Sequence, residues 1–314
     1  MSSKETGAQL VARTLREAGV PMVFSVSGNQ VLPLFDAAGE SGPHLIHMRH
    51  ESAAAFAAAG MSELSGRPGV ILTSAGPGFL AALTGVAAVR AMELPLVFLS
   101  GDSPVRNSGF GNFQVLDQQA VCSDFCKVSL RADSVDSIPG LLQQAFARSQ
   151  DGVPGPVHLS LPADLLAAAS AGAPASNTDS HPARRALEPQ ELRAIAEHLL
   201  ESERPMVVAR PSAARGRSLQ LLHRLSAQLG VQPVVTGPPR GLADSKYSHL
   251  ASHYRRSDCA LVIGPSDYAF GFLDESVLAE SGKVLLIDAA DDPRPKRPLT
   301  AHSRVFVEPA LEYL

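Results

Sequence analysis

Short, almost unbroken apolar runs recur along this chain, and each stops at a glycine, a proline or a polar residue. Residues 70–73 stop at Ser74, 157–161 at Pro162, 259–263 at Gly264 and 284–287 at Asp288, with 22–26, 44–48 and 94–99 of the same kind. A strand that is apolar on both faces needs a cover on both faces, which an antiparallel sheet with one wet side does not supply. Between the runs lie stretches with apolar residues at helical spacing: 9–18, 30–38, 52–64, 79–92, 143–148, 190–200 and 218–229. Strands alternating with helices in this way predict an α/β protein, with two doubly wound domains and mainly parallel sheets.

Two domains also suit the length. At roughly 100–200 residues per domain, 314 residues make two, and the composition says where they part. Residues 167–189 are rich in Ala, Ser and Pro and read as a linker between a first domain, 1–166, and a second, 190–314. The net charge of −4 (27 basic against 31 acidic residues) provides no basic face for nucleic acid. Three cysteines without a secretory leader suit a reducing compartment, so a cytoplasmic protein is expected. The most membrane-like stretch, 70–89, is broken by Gly76-Pro77-Gly78 and reads as strand, turn and helix, so no membrane is expected as a partner.

In open α/β sheets, ligands bind outside the carboxyl ends of the strands. Three segments fall there. Arg49-His50-Glu51 stands between a strand and an alanine-rich helix, where a carboxylate sheltered by Ala53, Ala54, Ala55 and Phe56 would suit proton transfer. A helix-start glutamate held by the helix dipole is the plainer reading of that spacing taken alone. Thr73-Ser74-Ala75-Gly76-Pro77-Gly78 is a strand, a glycine turn and a helix start, which lets a ligand approach the backbone but lacks the lysine of a phosphate loop. Ser27-Gly28-Asn29-Gln30 follows the first strand and reads either as a helix cap or as part of the same edge.

Taken together and in order, these segments carry a resemblance. Val23-Phe24-Ser25-Val26-Ser27-Gly28, Leu32-Pro33-Leu34-Phe35-Asp36, Arg49-His50-Glu51, Gly76-Pro77-Gly78, Glu93-Leu94-Pro95-Leu96-Val97, Phe113-Gln114 and Gly155-Pro156-Val157-His158-Leu159 resemble the N-terminal, pyrimidine-binding domain of thiamine diphosphate enzymes. The closest group is the acetolactate synthase-like carboligases and decarboxylases. Arg204-Pro205-Met206-Val207-Val208, the run 229–236, the run 257–264 and Val284-Leu285-Leu286-Ile287-Asp288 are similar to that family's central domain. The resemblance implies thiamine diphosphate as cofactor, a 2-keto acid as substrate, and an oligomer whose active sites form between chains. It implies that Glu51 hydrogen-bonds N1′ of the aminopyrimidine and so prepares the thiazolium for deprotonation. Ser27, Gly28, Asn29, Thr73, Gly76, Pro77 and Gly78 would lie at the cofactor, and Phe113 and Gln114 at the substrate.

Three departures qualify what the resemblance implies. Phe79-Leu80-Ala81 stands where the family has small and polar residues, which predicts a reshaped or more apolar pocket. Ala209-Arg210-Pro211-Ser212 replaces a glycine-rich turn of the central domain and makes FAD binding doubtful; Arg210 reads most simply as a solvated arginine. The family's Gly-Asp-Gly and later asparagines, which hold magnesium and the diphosphate, do not occur; Gly101-Asp102-Ser103 is the nearest string. His44, His47 and His50 do not converge as metal ligands on a strand; Cys122 and Cys126 read as buried thiols; and Arg294, Lys296 and Arg297 read as a solvated turn. No metal site is therefore expected in this chain. Magnesium would come with a separate diphosphate-binding subunit, and the chain would act as a decarboxylase or carboligase only with that partner. The alternatives are a catalytically inert binding or assembly protein derived from the family, and an incomplete gene product.

Overall fold

The computed structural model describes residues 4–105, 114–172, 189–236, 253, 256–264, 283–288 and 302–304. The chain divides into two compact units, Met1–Ser180 and His181–Leu314. Most of the expected linker, residues 173–188, lies outside the described residues, as do Phe113 and the run around Arg294.

The first unit runs α1 (Gly7–Glu17), β1 (Met22–Ser25), α2 (Leu32–Ser41), β2 (His44–His47), α3 (Glu51–Ser65), β3 (Gly69–Thr73), α4 (Pro77–Ala91), β4 (Leu96–Asp102), α5 (Gln118–Cys122), β5 (Val128–Arg131), α6 (Ile138–Gln150), β6 (Pro156–Pro162) and α7 (Ala163–Ala167). Its six strands are hydrogen-bonded in the order β2-β1-β3-β4-β6-β5, each neighbouring pair parallel. The interior strands β3, β4 and β6 are buried along their whole length. Their side chains alternate between two cores. Val70, Leu72, Val97 and Leu99 pack with residues of α1, α2 and α6. Ile71, Leu96 and Phe98 pack with residues of α3 and α4. This alternation is why those strands read as continuous apolar runs.

Small residues bring α3 and α4 close. A Cβ added at Gly85 would lie 2.6 Å from Cβ of Ala55 and 2.8 Å from the carbonyl oxygen of Ser52, and the Ser52 hydroxyl donates to the Ala81 carbonyl at 2.5 Å. Phe79, expected at the pocket, turns instead into the core, stacked on Phe98 with ring centroids 5.4 Å apart and fully buried. Its helical phase places it over the sheet, so the added bulk fills the interior. Phe56 departs in the other direction: Ala54 and Ala55 are buried, but Phe56 is 49% exposed. At the amino edge, Pro21, Pro43, Pro68 and Pro95 each immediately precede a strand, after the turns containing Gly19, Gly42, Gly66 and Glu93.

The second unit contains α8 (Pro189–Glu201), β7 (Pro205–Ala209), α9 (Gly216–Leu229), β8 (Val234–Val235), β9 (Cys259–Ile263), β10 (Lys283–Asp288) and β11 (His302–Arg304). Its sheet order is β11-β10-β9-β7-β8, again with parallel pairs. Leu192, Ile195 and Leu199 of α8 and Leu221, Leu222 and Leu225 of α9 form one core with Val207, Leu261 and Ile263.

Candidate active site

Strand order decides where a ligand crevice opens. From β1 the chain goes outward to β2, then crosses back to β3 on the other side of β1. The connections leaving β1 and β3 therefore diverge, and the gap outside their carboxyl ends is the switch point at which open α/β sheets bind ligands. Gly28 follows β1, residues 74–78 follow β3, and Glu51 follows the neighbouring β2, so three segments far apart in sequence share one edge.

Glu51 is the first residue of α3; the ring nitrogen Nδ1 of His50, its N-cap, accepts from the Ser52 N–H at 3.1 Å. The glutamate is partly buried, and a Cβ at Gly78 would sit 3.1 Å from its Oε1. The carboxylate thus lies where α3 and α4 both begin. Each helix start stabilises a negative charge by about 0.3–1 kcal/mol. Gly28 has an extended backbone, φ −173°, and its lack of a side chain matters for space: a Cβ there would come within 2.3 Å of the Ser74 hydroxyl. Gly76 has φ +55° and ψ −114°, a conformation that favours glycine, and Gln114 covers it, with its Cβ 2.7 Å from where a Gly76 Cβ would be. Ser74 donates to Gln30 Oε1 at 2.5 Å, and Gln30 Nε2 donates to Gln114 Oε1 at 3.0 Å.

The structure thus brings Gly28, Glu51, Gly76, Pro77, Gly78 and Gln114 to one edge. Ser27 and Asn29 are exposed there, while Thr73 is fully buried with its hydroxyl on the Ser74 carbonyl at 3.1 Å. Gln30, the last residue of the Ser27-Gly28-Asn29-Gln30 segment, joins the group. Its partners are 44 and 84 residues away, so no local pattern marked the bonds that it makes.

A second polar layer lies under the site. Gln118 is buried; its Nε2 donates to the Gly101 carbonyl at 2.9 Å, so its Oε1 faces Ser100 and accepts from the Ser100 hydroxyl at 2.5 Å. Having given its hydrogen to Gln118, Ser100 accepts from Nε2 of His158 at 2.7 Å, which places a hydrogen on that nitrogen, and Nδ1 meets the Ser129 hydroxyl at 2.7 Å. Cys122 and Cys126 are buried free thiols, as expected. A hydrogen bond from Cys126 pulls the Cys122 thiol below the ordinary thiol range, with His158 acting in the same direction, and the same contact raises Cys126.

Asp102 of the Gly101-Asp102-Ser103 string is committed elsewhere. Its Oδ2 accepts from Arg131 Nε and the Ser160 hydroxyl, both at 2.7 Å, and its Oδ1 from the Ser103 N–H at 2.7 Å. Among the described residues, no group of three His, Cys, Asp or Glu side chains is placed to hold a metal ion. In the second unit, Arg210 corrects an expectation: it is 1% exposed, not solvated. Its side chain runs across Gly264, where an added Cβ would lie 2.5 Å from the arginine Cβ, and its N–H is given to the Ile263 carbonyl at 2.8 Å. Pro211 offers no N–H at all. Neither of these two positions of the turn after β7 therefore has a free backbone N–H.

A doubly wound parallel domain with a carboxylate and two glycine turns at its switch point has the layout of a ligand-binding α/β module. Sequence comparison says which kind. Residues 5–121 match the family described as thiamine pyrophosphate enzyme, N-terminal TPP binding domain. The chain is 31% identical over 306 residues to 2-hydroxyacyl-CoA lyase of Oryza sativa subsp. japonica, covering 92% of this chain and 53% of the relative. It is 29% identical over 299 residues to acetolactate synthase large subunit IlvG of Mycobacterium tuberculosis, covering 91% and 54%. Over 163 residues it is 37% identical to acetolactate synthase isozyme 3 large subunit of Escherichia coli K12, covering 51% and 28%. The chain belongs to the thiamine diphosphate-dependent, acetolactate synthase-like family. It spans about half the length of the relatives that it matches from end to end. Among the described residues no helix is long and apolar enough to cross a membrane.

Proposed function

We propose that this chain supplies the aminopyrimidine half of a thiamine diphosphate active site, and that a separate polypeptide supplies the diphosphate and magnesium half. The observation that carries the reading is the Glu51 carboxylate set against the Gly78 backbone at the switch-point edge. The glycine at 28 lets Ser74 close on the first turn, and the glycine at 78 lets the Glu51 carboxylate lie against the start of α4. Glu51 would accept a hydrogen bond from the ring nitrogen and hold that proton, Gly28 and residues 76–78 would lie along the ring, and Gln114, with Phe113, would meet the substrate. The cofactor, when bound, supplies the electron sink for breaking or making a bond next to a carbonyl carbon. The commitment of Asp102 to Arg131 and Ser160 supports placing the metal site in another polypeptide.

The rim of the edge supports a second polypeptide. Leu32, Phe56, Leu80 and Val115 are 46–56% exposed, and each lies within five residues of a proposed site residue. Such residues suit a docking partner. That partner would carry the diphosphate-binding domain, in a homo- or hetero-oligomer. Burial of Phe79 removes one ground for the inert alternative.

The relatives' names divide between acetolactate synthase and 2-hydroxyacyl-CoA lyase, so a 2-keto acid and a 2-hydroxyacyl-CoA are both assayed. The chain is mixed with a polypeptide carrying the Gly-Asp-Gly domain, thiamine diphosphate and magnesium. Turnover is expected only in the mixture and is expected to fall by about 100-fold or more in Glu51→Gln, the scale of a lost catalytic proton-transfer group. Full activity of Glu51→Gln sinks the assignment. No cofactor binding under any condition favours an inert assembly protein.

A further inference from the structure

A glutamine carries a donor at one end of its amide and an acceptor at the other, so the end it presents to a ligand depends on what holds the opposite end. Gln114 is held. The Ser74 hydroxyl donates to Gln30 Oε1 at 2.5 Å, which turns Gln30 Nε2 toward Gln114, and that nitrogen donates to Gln114 Oε1 at 3.0 Å. The acceptor of Gln114 is engaged by Gln30, and its two N–H hydrogens remain to be offered.

Three glycines make room for the three members of this relay. A Cβ at Gly28 would fall 2.3 Å from the Ser74 hydroxyl, one at Gly101 would fall 2.7 Å from Gln30 Cβ, and one at Gly76 would fall 2.7 Å from Gln114 Cβ. Each glycine stands at or just after the carboxyl end of a different strand, β1, β4 and β3. The Gln114 backbone is itself in the left-handed region, φ +62°, which a side chain adopts only when its surroundings hold it there. From beneath, Gln118 ties the same segment to the Gly101 carbonyl at 2.9 Å. The relay is thus wedged between backbone on one side and a buried amide on the other.

We infer that Gln30 is a positioning residue that fixes the polarity of the Gln114 amide, so that the site receives its ligand through an oxygen acceptor, a carbonyl or carboxylate. This rests on the reading above that places substrate beside Gln114 and adds what chemistry that position accepts. A ligand presenting only donors, such as an amidinium, finds no acceptor there.

The test reads the side-chain amides of the full-length chain by nuclear magnetic resonance, without partner or cofactor. In the unsubstituted protein the Gln30 amide hydrogens exchange slowly and those of Gln114 quickly. Gln30→Glu replaces the donor with a second acceptor at nearly the same volume. The Gln114 amide then turns to donate to it, and its exchange slows by about tenfold or more, the scale of one hydrogen bond. Pyruvate shifts the Gln114 amide resonance in the unsubstituted chain and acetamidinium does not; Gln30→Glu weakens the pyruvate response by about tenfold. Ser74→Ala, which removes the hydroxyl that orients Gln30, lowers protection of the Gln30 amide without unfolding the chain. Slow exchange of Gln114 in the unsubstituted protein, or unchanged exchange and pyruvate response in Gln30→Glu, overturns the inference. Both readouts are taken without cofactor, so a failure of the cofactor assignment is told apart from a failure of this one.

Discussion

At the scale of single residues, the site is defined as much by missing Cβ atoms as by functional groups. The glycines divide into those that face backbone or side chains and those that face open space. Gly28→Ala places a methyl 2.3 Å from the Ser74 hydroxyl and is expected to destabilise the first unit by about 1–3 kcal/mol through overpacking, measured by denaturant unfolding. Gly60, in the middle of α3, is exposed with nothing within 4 Å of an added Cβ. Gly60→Ala is therefore expected to stabilise by about 0.5–1 kcal/mol in the same measurement. Glu51, Gly28 and residues 76–78 were legible in the sequence because each follows an apolar run directly. Gln30 and His158 were not legible as network members: their roles depend on partners brought in by strand order, which no local spacing encodes. Arg210 was misread for the same reason, since Gly264, 54 residues on, packs against it where it is buried.

Among elements, packing distance and charge pairing decide which joints are sensitive. Gly85 sets how closely α3 and α4 approach, and so where Glu51 stands relative to Gly78. Gly85→Val is expected to cost about 1–3 kcal/mol or more and to reduce cofactor binding in the assembled enzyme, read by calorimetry beside the unfolding curve. In the second unit, Asp258 at the start of β9 holds the turn before β7. It accepts from the Ser202 hydroxyl and from the N–H groups of Glu203 at 2.9 Å and Arg204 at 3.0 Å. These bonds, with Ser202 first, lower its carboxyl below the ordinary 3.8. A lowered folded-state value adds stability that is present above the unfolded value and is lost as pH falls through the folded one. Asp258→Asn is thus expected to lower the thermal midpoint at neutral pH, with the difference from the unsubstituted protein shrinking below about pH 4 as both forms become neutral; equal midpoints at neutral pH count against it. The interior strands of the first unit were legible from their apolar runs. β5 was not, because Val128–Arg131 alternates polar and apolar residues and is only half-buried along its length, as an edge strand in a covered sheet allows. The five-residue helices α5 and α7 are too short for a helical period to show. The direction of Phe79 could not be read from composition, since bulk at a helix start serves a pocket or a core equally well until the helix has a phase.

For the molecule as a whole, the described residues of each unit form a parallel sheet with its own core, whereas the proposed active site is one wall of a larger one. Leu80→Ser with Phe56→Ser, both at exposed positions, are expected to leave the thermal midpoint of the chain within about 1–2 °C, since surface changes of this kind stay within about 0.5 kcal/mol. They are expected to weaken association with a diphosphate-domain partner by about tenfold or more, as removal of apolar anchors does, in a sedimentation or interferometry assay. Unchanged association would move the docking face elsewhere. The parallel direction of every paired strand in the first unit has a practical consequence at the opposite edge. All the residues assigned to chemistry follow strand ends, so the proline-punctuated returns before β1 to β4 are free of them. Gly66, with φ +68°, open space around it and exposed Ser65 and Arg67 on either side, is therefore the place to splice in a short peptide tag or a fluorescent reporter. An insertion there leaves the glycine wedges at the far rim intact, so capture of cofactor and partner can be followed in real time by a label that touches neither.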